Sequence, residues 1–150
     1  MQEGTNKFTA YYSGVLDGNY DGVLTYWYKN GQKDREETYK DGKENGLFTD
    51  WSSEGHKNEE TTYKDGKKIG LSTKWYEGQK IAETNYKNDK REGLDIGWYE
   101  NGQKQYEQNW KDDKIISLEV LKPNGQKCPH SKIDKFGNGF MLFYDDAGKI

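Results

Sequence analysis

Large aliphatic residues are scarce in this 150-residue chain: Leu, Ile, Val and Phe together number 23, about 15%. So low a share marks disorder when net charge is high. It also excludes a thick aliphatic core and the near-continuous apolar strands of a doubly wound α/β enzyme. No apolar run approaches 18 residues, which excludes a transmembrane helix and with it integral membrane contact. Cysteine occurs once and histidine twice, so no disulfide forms within the chain and no local set of four zinc ligands exists. A basic excess is missing too, since 23 basic residues nearly cancel 26 acidic ones to leave a net charge of −3. What the chain does have is aromatic residues, 12 Tyr, 5 Trp and 5 Phe, and they fall on a regular beat.

The beat is about 24 residues. Gly22, Gly46, Gly70 and Gly93 are spaced 24, 24 and 23 apart, and Gly139 follows two periods later. A second glycine trails each of them by 8 or 9 positions: Gly31, Gly55, Gly78, Gly102 and Gly148. Tyr39, Tyr63, Tyr86 and Trp110 keep the same phase. Such a period signals a repeat architecture. The chain 1–150 is a single repeat domain, divided into an N-terminal cap or half repeat 1–21, repeats 22–45, 46–69, 70–92 and 93–116, a degenerate repeat 117–138 and a half repeat 139–150.

Each unit has the pattern of a β-hairpin. Period-two alternation places Val23, Thr25 and Trp27 on one face, and Leu47/Thr49/Trp51, Leu71/Thr73/Trp75 and Leu94/Ile96/Trp98 repeat it. Asn30-Gly31, Asn101-Gly102 and Pro123-Asn124-Gly125 are turn signals, because Asn-Gly supplies the positive φ angles of a tight hairpin. Second turns such as Asp41-Gly42 and Asp65-Gly66 follow the recurring aromatic, and no segment carries an apolar helical period with caps. The third hairpin is one residue short between Trp75 and Gly78, which should bend or tighten its turn.

The fold class expected is therefore all-β: an antiparallel meander of about 24-residue hairpin repeats, roughly a dozen short strands forming an elongated, twisted single-sheet solenoid. In it Trp27, Trp51, Trp75 and Trp98 make one structural ladder, and Tyr39, Tyr63, Tyr86 and Trp110 a second. The divergent stretches 1–21 and 117–138 are expected to cap the ends. Phe140 to Tyr144 are apolar on both faces, as in a strand that a cap or a partner covers.

These units resemble the variant MORN repeat of bacterial proteins, whose pattern is Gly-x-Trp-x-x-Tyr-Tyr-x-Asn-Gly-Lys followed by a Tyr-x-x-Gly turn. Trp98-Tyr99-Glu100-Asn101-Gly102-Gln103-Lys104 shows it best. The chain departs from the pattern in carrying Leu or Val after the first glycine and delaying Trp to the fifth following position. The resemblance covers about 120 residues. It implies an interaction module or an antitoxin-like protein, and related eukaryotic repeats are linked to membranes and scaffolding. The choline-binding repeat of surface proteins also mixes Trp-Tyr with Gly, but at a period nearer 20.

Repetition sorts the remaining residues. Glu36, Glu60, Glu83 and Glu107, with Lys33, Lys57, Lys80 and Lys104, recur at fixed phase and are expected to line a solvated face rather than grip an anionic surface. Adjacent carboxylates such as Glu36-Glu37 and Glu59-Glu60 point to opposite faces of a strand, so they form no acid–base pair. Cys128-Pro129-His130 has no third partner and is expected to be a loop. No phosphate-binding glycine motif opens a helix. The expectation is a protein that is not an enzyme and holds no cofactor or metal. The acidic charge balance speaks against nucleic acid.

Residues that vary between units, opposite the Trp positions, are the better site candidates. Tyr26, Tyr28, Phe48, Asp50, Lys74, Tyr76 and Tyr99 combine aromatic and charged side chains in the manner of a protein interface. The first reading is thus a protein-binding module of antitoxin or immunity type that neutralises a partner, a toxin for instance, by occluding it. The alternatives are a cell-envelope protein binding carbohydrate through its aromatic ladders, or a structural scaffold. The chain opens Met1-Gln2-Glu3-Gly4 without an apolar leader, which suggests the cytoplasm as given, or the periplasm or cell surface if a leader has been removed.

Overall fold

A computed structural model describes residues 8–16, 19–128, 131–133, 139–140, 144 and 149. The described residues form strands and turns only. Ten strands run in sequence order: β1 (Phe8–Leu16), β2 (Asn19–Trp27), β3 (Lys33–Lys40), β4 (Lys43–Trp51), β5 (Lys57–Lys64), β6 (Lys67–Tyr76), β7 (Gln79–Lys87), β8 (Lys90–Trp98), β9 (Lys104–Lys111) and β10 (Lys114–Val120). Each pairs antiparallel with its sequence neighbours, giving one open sheet in the order β1 to β10. The meander of hairpins is as the alternation predicts.

The meander is shorter than a dozen strands. Beyond β10 the Lys122–Gln126 turn forms a three-residue loop, Leu121 bridges back to Lys127 and the Cys128 N–H donates to the Val120 carbonyl, so residues 127–128 lie against the free edge of β10 without forming a further full strand. The last two strands, β11 (Lys132–Ile133) and β12 (Gly139–Phe140), pair in a separate two-stranded sheet. Here Tyr144 is buried with Tyr99, Val120 and Cys128, and Tyr106 and Leu118 pack against them. Met141, Leu142 and Phe143, expected to form a covered strand, lie outside the described residues.

The turns are of two kinds. At one margin, two-residue turns hold both central residues at positive φ: Asp41-Gly42, Asp65-Gly66, Asn88-Asp89 and Asp112-Asp113. The other margin departs from the tight Asn-Gly turn expected. Only Gly31 has positive φ, while the Gly31 N–H donates to the Tyr28 carbonyl and the Tyr28 N–H to the Gln32 carbonyl. That is a three-residue loop closed by a glycine bulge. Asn30 serves instead through its side chain, accepting from the Gln32 N–H at 3.0 Å and donating to the Ser53 carbonyl of the next hairpin at 2.7 Å. Asn101 repeats this with Gln103 and Pro123. The short third hairpin closes with two residues, Glu77 and Gly78, both at positive φ. Its turn is tightened, as the missing residue predicts.

Two bulges recur in every unit. Beside each Trp the second strand carries one extra residue, Asp34, Asn58, Ile81 or Gln105, against the first. That insertion explains why Lys33 and Glu36, three apart, share a face. The same geometry joins Lys57 to Glu60 at 2.5 Å, Lys80 to Glu83, and Lys104 to Glu107 at 2.5 Å. The second irregularity interrupts the ladder between hairpins, beside Gly46, Gly70 and Gly93 on the leading strand. Gly46 stands at φ +136, and a Cβ there would lie 2.9 Å from Thr38 Cβ, so glycine is required.

Candidate functional site

The two faces of the sheet differ in chemistry. On the tryptophan face, Lys33 lies across from Trp27, and its Nζ stands 5.5 Å from the ring centre of Trp51. Lys57 and Lys80 sit likewise 5.2 Å from Trp75 and 5.6 Å from Trp98. Indole and ammonium therefore alternate along this row. Val23, Leu47, Leu71 and Leu94 stand exposed in a parallel row. An open cleft of about 280 Å³ at one margin is lined by Gln79, Lys80, Trp98 and Gly102.

The opposite, tyrosine face carries three rows that cross the strands. The central row runs Leu24, Glu37, Phe48, Thr61, Ser72, Thr84, Asp95, Gln108 and Leu118 in direct register. With no second sheet layer over it among the described residues, this row buries polar groups against their neighbours. Glu37 accepts from the Tyr39 hydroxyl at 2.9 Å and from Arg35 at 3.4 Å. The Thr61 and Ser72 hydroxyls bond at 2.6 Å. Asp95 accepts from Thr84 at 3.2 Å and Tyr106 at 3.4 Å, yet burial still raises its carboxyl above the ordinary range. The Tyr106 phenol is pushed up to about 12 by burial and then by Asp95.

The second row is Tyr26, Arg35, Asp50, Glu59, Lys74, Ala82, Gly97, Tyr106 and Val120. Arg35 pairs with Asp50 at 2.8 Å and lies 6.0 Å from the ring centre of Tyr26 and 5.2 Å from that of Phe48. Glu59 faces Lys68 and Lys74, each at 3.8 Å. The third row alternates aromatic and charge. Tyr39 pairs with Glu44, Tyr63 with Lys68, Tyr86 with Arg91 and Trp110 with Ile115. On its other side each aromatic meets a repeat glycine, as in Gly22↔Tyr39 and Gly93↔Trp110.

The seven candidate contact residues divide. Tyr26, Phe48 and Asp50 are gathered around Arg35, and Lys74 lies two strands away. Tyr76 stands exposed at the margin, at 58%. Tyr28 and Tyr99 are instead pins between repeats: their hydroxyls donate to the Trp51 and Leu121 carbonyls, each at 2.7 Å. Burial and the nearby Asp34 push the Tyr28 phenol up to about 12. Tyr99 is 4% exposed, so the expectation of an accessible contact there is corrected: its ring is part of the terminal core. Cys128, expected in a loop, is buried in the same core, and its Sγ lies 3.3 Å from the Tyr144 hydroxyl. His130 lies outside the described residues.

Glu44, Lys68 and Arg91 were missed among the candidates. Their signal is present in the chain: two or three residues past the margin turn, the same phase holds Glu, Lys and Arg in successive units. Among the described residues no three His, Cys, Asp or Glu side chains group to hold a metal. None of these residues forms a helix long and apolar enough to cross a membrane.

The family model described as MORN repeat variant matches residues 20–41 and 91–112. These are the hairpins β2–β3 and β8–β9, so at both places the hairpin unit is similar to a MORN-variant repeat. No curated protein matches the chain. Repeats of this kind generally mediate protein or membrane binding, which fits a non-catalytic binding module.

Proposed function

We propose that this protein binds a partner protein across its tyrosine face, without catalysis. What carries the reading is one observation: at a fixed register position the residue changes from Glu44 to Lys68 to Arg91, while the aromatic beside it stays nearly constant. A frame that repeats with charges that do not is how a sheet surface acquires specificity for one partner. On this face acidic groups (Glu37, Glu44, Asp50, Glu59) outnumber Arg35 in the first two hairpins, and basic ones (Lys68, Lys74, Arg91) outnumber Asp95 in the third and fourth. Neutralisation of a toxin-like partner by occlusion is the narrower form of this reading.

The test is affinity capture from the native organism with wild type, Tyr26→Ala and Tyr76→Asp as baits, and Leu71→Asp on the tryptophan face as control. A protein retained by wild type and Leu71→Asp but lost by the tyrosine-face variants supports the proposal. One retained by every tyrosine-face variant and lost by Leu71→Asp overturns it.

A further inference from the structure

The third row of the tyrosine face contains three equivalent spaces, each on a strand flanked by two aromatics. On β6, between Tyr63 and Tyr86, the space is filled by Lys68, whose Nζ lies 5.9 Å and 5.5 Å from the two ring centres. On β8, between Tyr86 and Trp110, it is filled by Arg91, whose guanidinium carbon stands 3.4 Å from the Trp110 ring centre. Both are cations against the negative faces of aromatic rings, where attraction is strongest once water is displaced. On β4, between Tyr39 and Tyr63, the register position holds Glu44. The rings are two tyrosines, as around Lys68, and the flanking strands are again two steps apart, about 9.6 Å. The charge is inverted, and the central-row neighbour is Phe48 where the other two units have Ser72 and Asp95.

We infer that this space, bounded by Tyr39, Tyr63 and Glu44, takes the cationic head of an arginine or lysine side chain presented by the partner protein. The inference rests on the protein-docking reading and names the chemistry of its contact. Two neighbouring strands show what the ring pair accepts, and the chain withholds its own cation at the first. The carboxylate of Glu44 makes no hydrogen bond or ion pair to a described residue, and it is half-buried. Burial raises its pKa, the carboxylates of Glu37 and Asp89 raise it further, and only Lys68 pulls it back. An arriving cation would relieve that imbalance while completing the alternation of ring and cation along the row. Phe48, 5.9 Å from Tyr63 between ring centres, backs the same ring. Arg35, on the far side of Phe48, already engages Asp50, Glu37 and the Tyr26 ring. It is therefore committed elsewhere.

The test uses the full chain and three short blocked peptides, Gly-Arg-Gly, Gly-Lys-Gly and Gly-norleucine-Gly, titrated to millimolar concentration and followed by amide chemical shifts. The arginine and lysine peptides are expected to move the resonances of Tyr39, Glu44 and Tyr63, and the neutral isostere is not. Glu44→Lys supplies the internal cation found at positions 68 and 91. It should fold with an unchanged melting temperature and weaken binding of both cationic peptides by at least about tenfold. Glu44→Gln keeps the shape and should weaken them less. Equal shifts from the norleucine peptide, or unchanged affinity in Glu44→Lys, would overturn the slot. If the slot fails while a captured protein is still lost on Tyr26→Ala, the docking reading stands without it. If the cationic peptides bind but no protein depends on the tyrosine face, the slot stands and the docking reading falls.

Discussion

The ring of Tyr106 lies across Gly97 so closely that a Cβ at position 97 would stand 2.2 Å from Tyr106 Cε1. Here the glycine is not chosen for its φ. It is the absence of a side chain that lets the phenol lie flat on the neighbouring strand and reach Asp95. Gly97→Ala is expected to cost about 1–3 kcal/mol, the usual penalty for overpacking. The double variant Gly97→Ala/Tyr106→Ala should cost less than the sum of the single changes, because the clash disappears with the ring. Urea unfolding of the four proteins measures this, and strict additivity would refute the stacking contact.

The pins between hairpins give a second expectation. Tyr99→Phe removes a 2.7 Å bond and leaves the Leu121 carbonyl without that donor in a buried setting. A loss of about 1–2 kcal/mol follows. Tyr28→Phe removes the equivalent bond at a half-exposed site, where water can replace the donor, and should lose less. Denaturant midpoints of the two variants under one condition check the order.

A third concerns Thr61 and Ser72, whose paired hydroxyls are almost wholly buried at mid-sheet. Thr61→Val removes a hydroxyl that also donates to Glu59 and leaves Ser72 only its long 3.5 Å bond to Glu59, so it should destabilise by about 1–3 kcal/mol. Adding Ser72→Ala should restore part of that loss, because no weakly bonded hydroxyl then remains beneath the row. A double variant less stable than Thr61→Val by the full single cost of Ser72→Ala would show that the two groups are not coupled.

The fourth is a pH dependence at Asp95. Burial raises its folded-state carboxyl above the ordinary 3.8, with the Thr84 and Tyr106 hydrogen bonds pulling it partly back. The folded chain therefore keeps the proton to higher pH than the unfolded chain. That contribution is complete below the ordinary value and is lost as pH rises through the folded one. Asp95→Asn does not titrate, so its stability relative to wild type should improve between about pH 3.5 and pH 7. A stability difference that does not change with pH would show that the native site ionises as readily as the unfolded chain.

How much of this was legible follows from what a sequence pattern encodes. The 24-residue beat and the alternation of Val23, Thr25 and Trp27 give strand, face and hairpin, because those depend on spacing along one chain. The bulge at Asp34 depends on what stands opposite, and only the register reveals that Lys33 and Glu36 share a face. Tyr99 reads as an exposed aromatic because nothing local announces the Leu121 carbonyl 22 residues on. Its burial comes from Tyr144 and Cys128, in a stretch that does not repeat. The tryptophan ladder was expected as rings alone, yet the lysine across each bulge enters it. Glu44, Lys68 and Arg91 were within reach of the same comparison of phases, but counting from the repeat glycine leaves them just outside each unit's strand.

The unbroken order of the sheet also governs how the molecule comes into being. Each strand from β1 to β10 pairs only with strands adjacent in the chain, so loop closures are short and contact order is low for an all-β protein. The sheet can grow hairpin by hairpin as the chain leaves the ribosome, each new pair docking on a finished edge. Pulled from its two ends, the same molecule would come apart in reverse, as a series of small steps one repeat long.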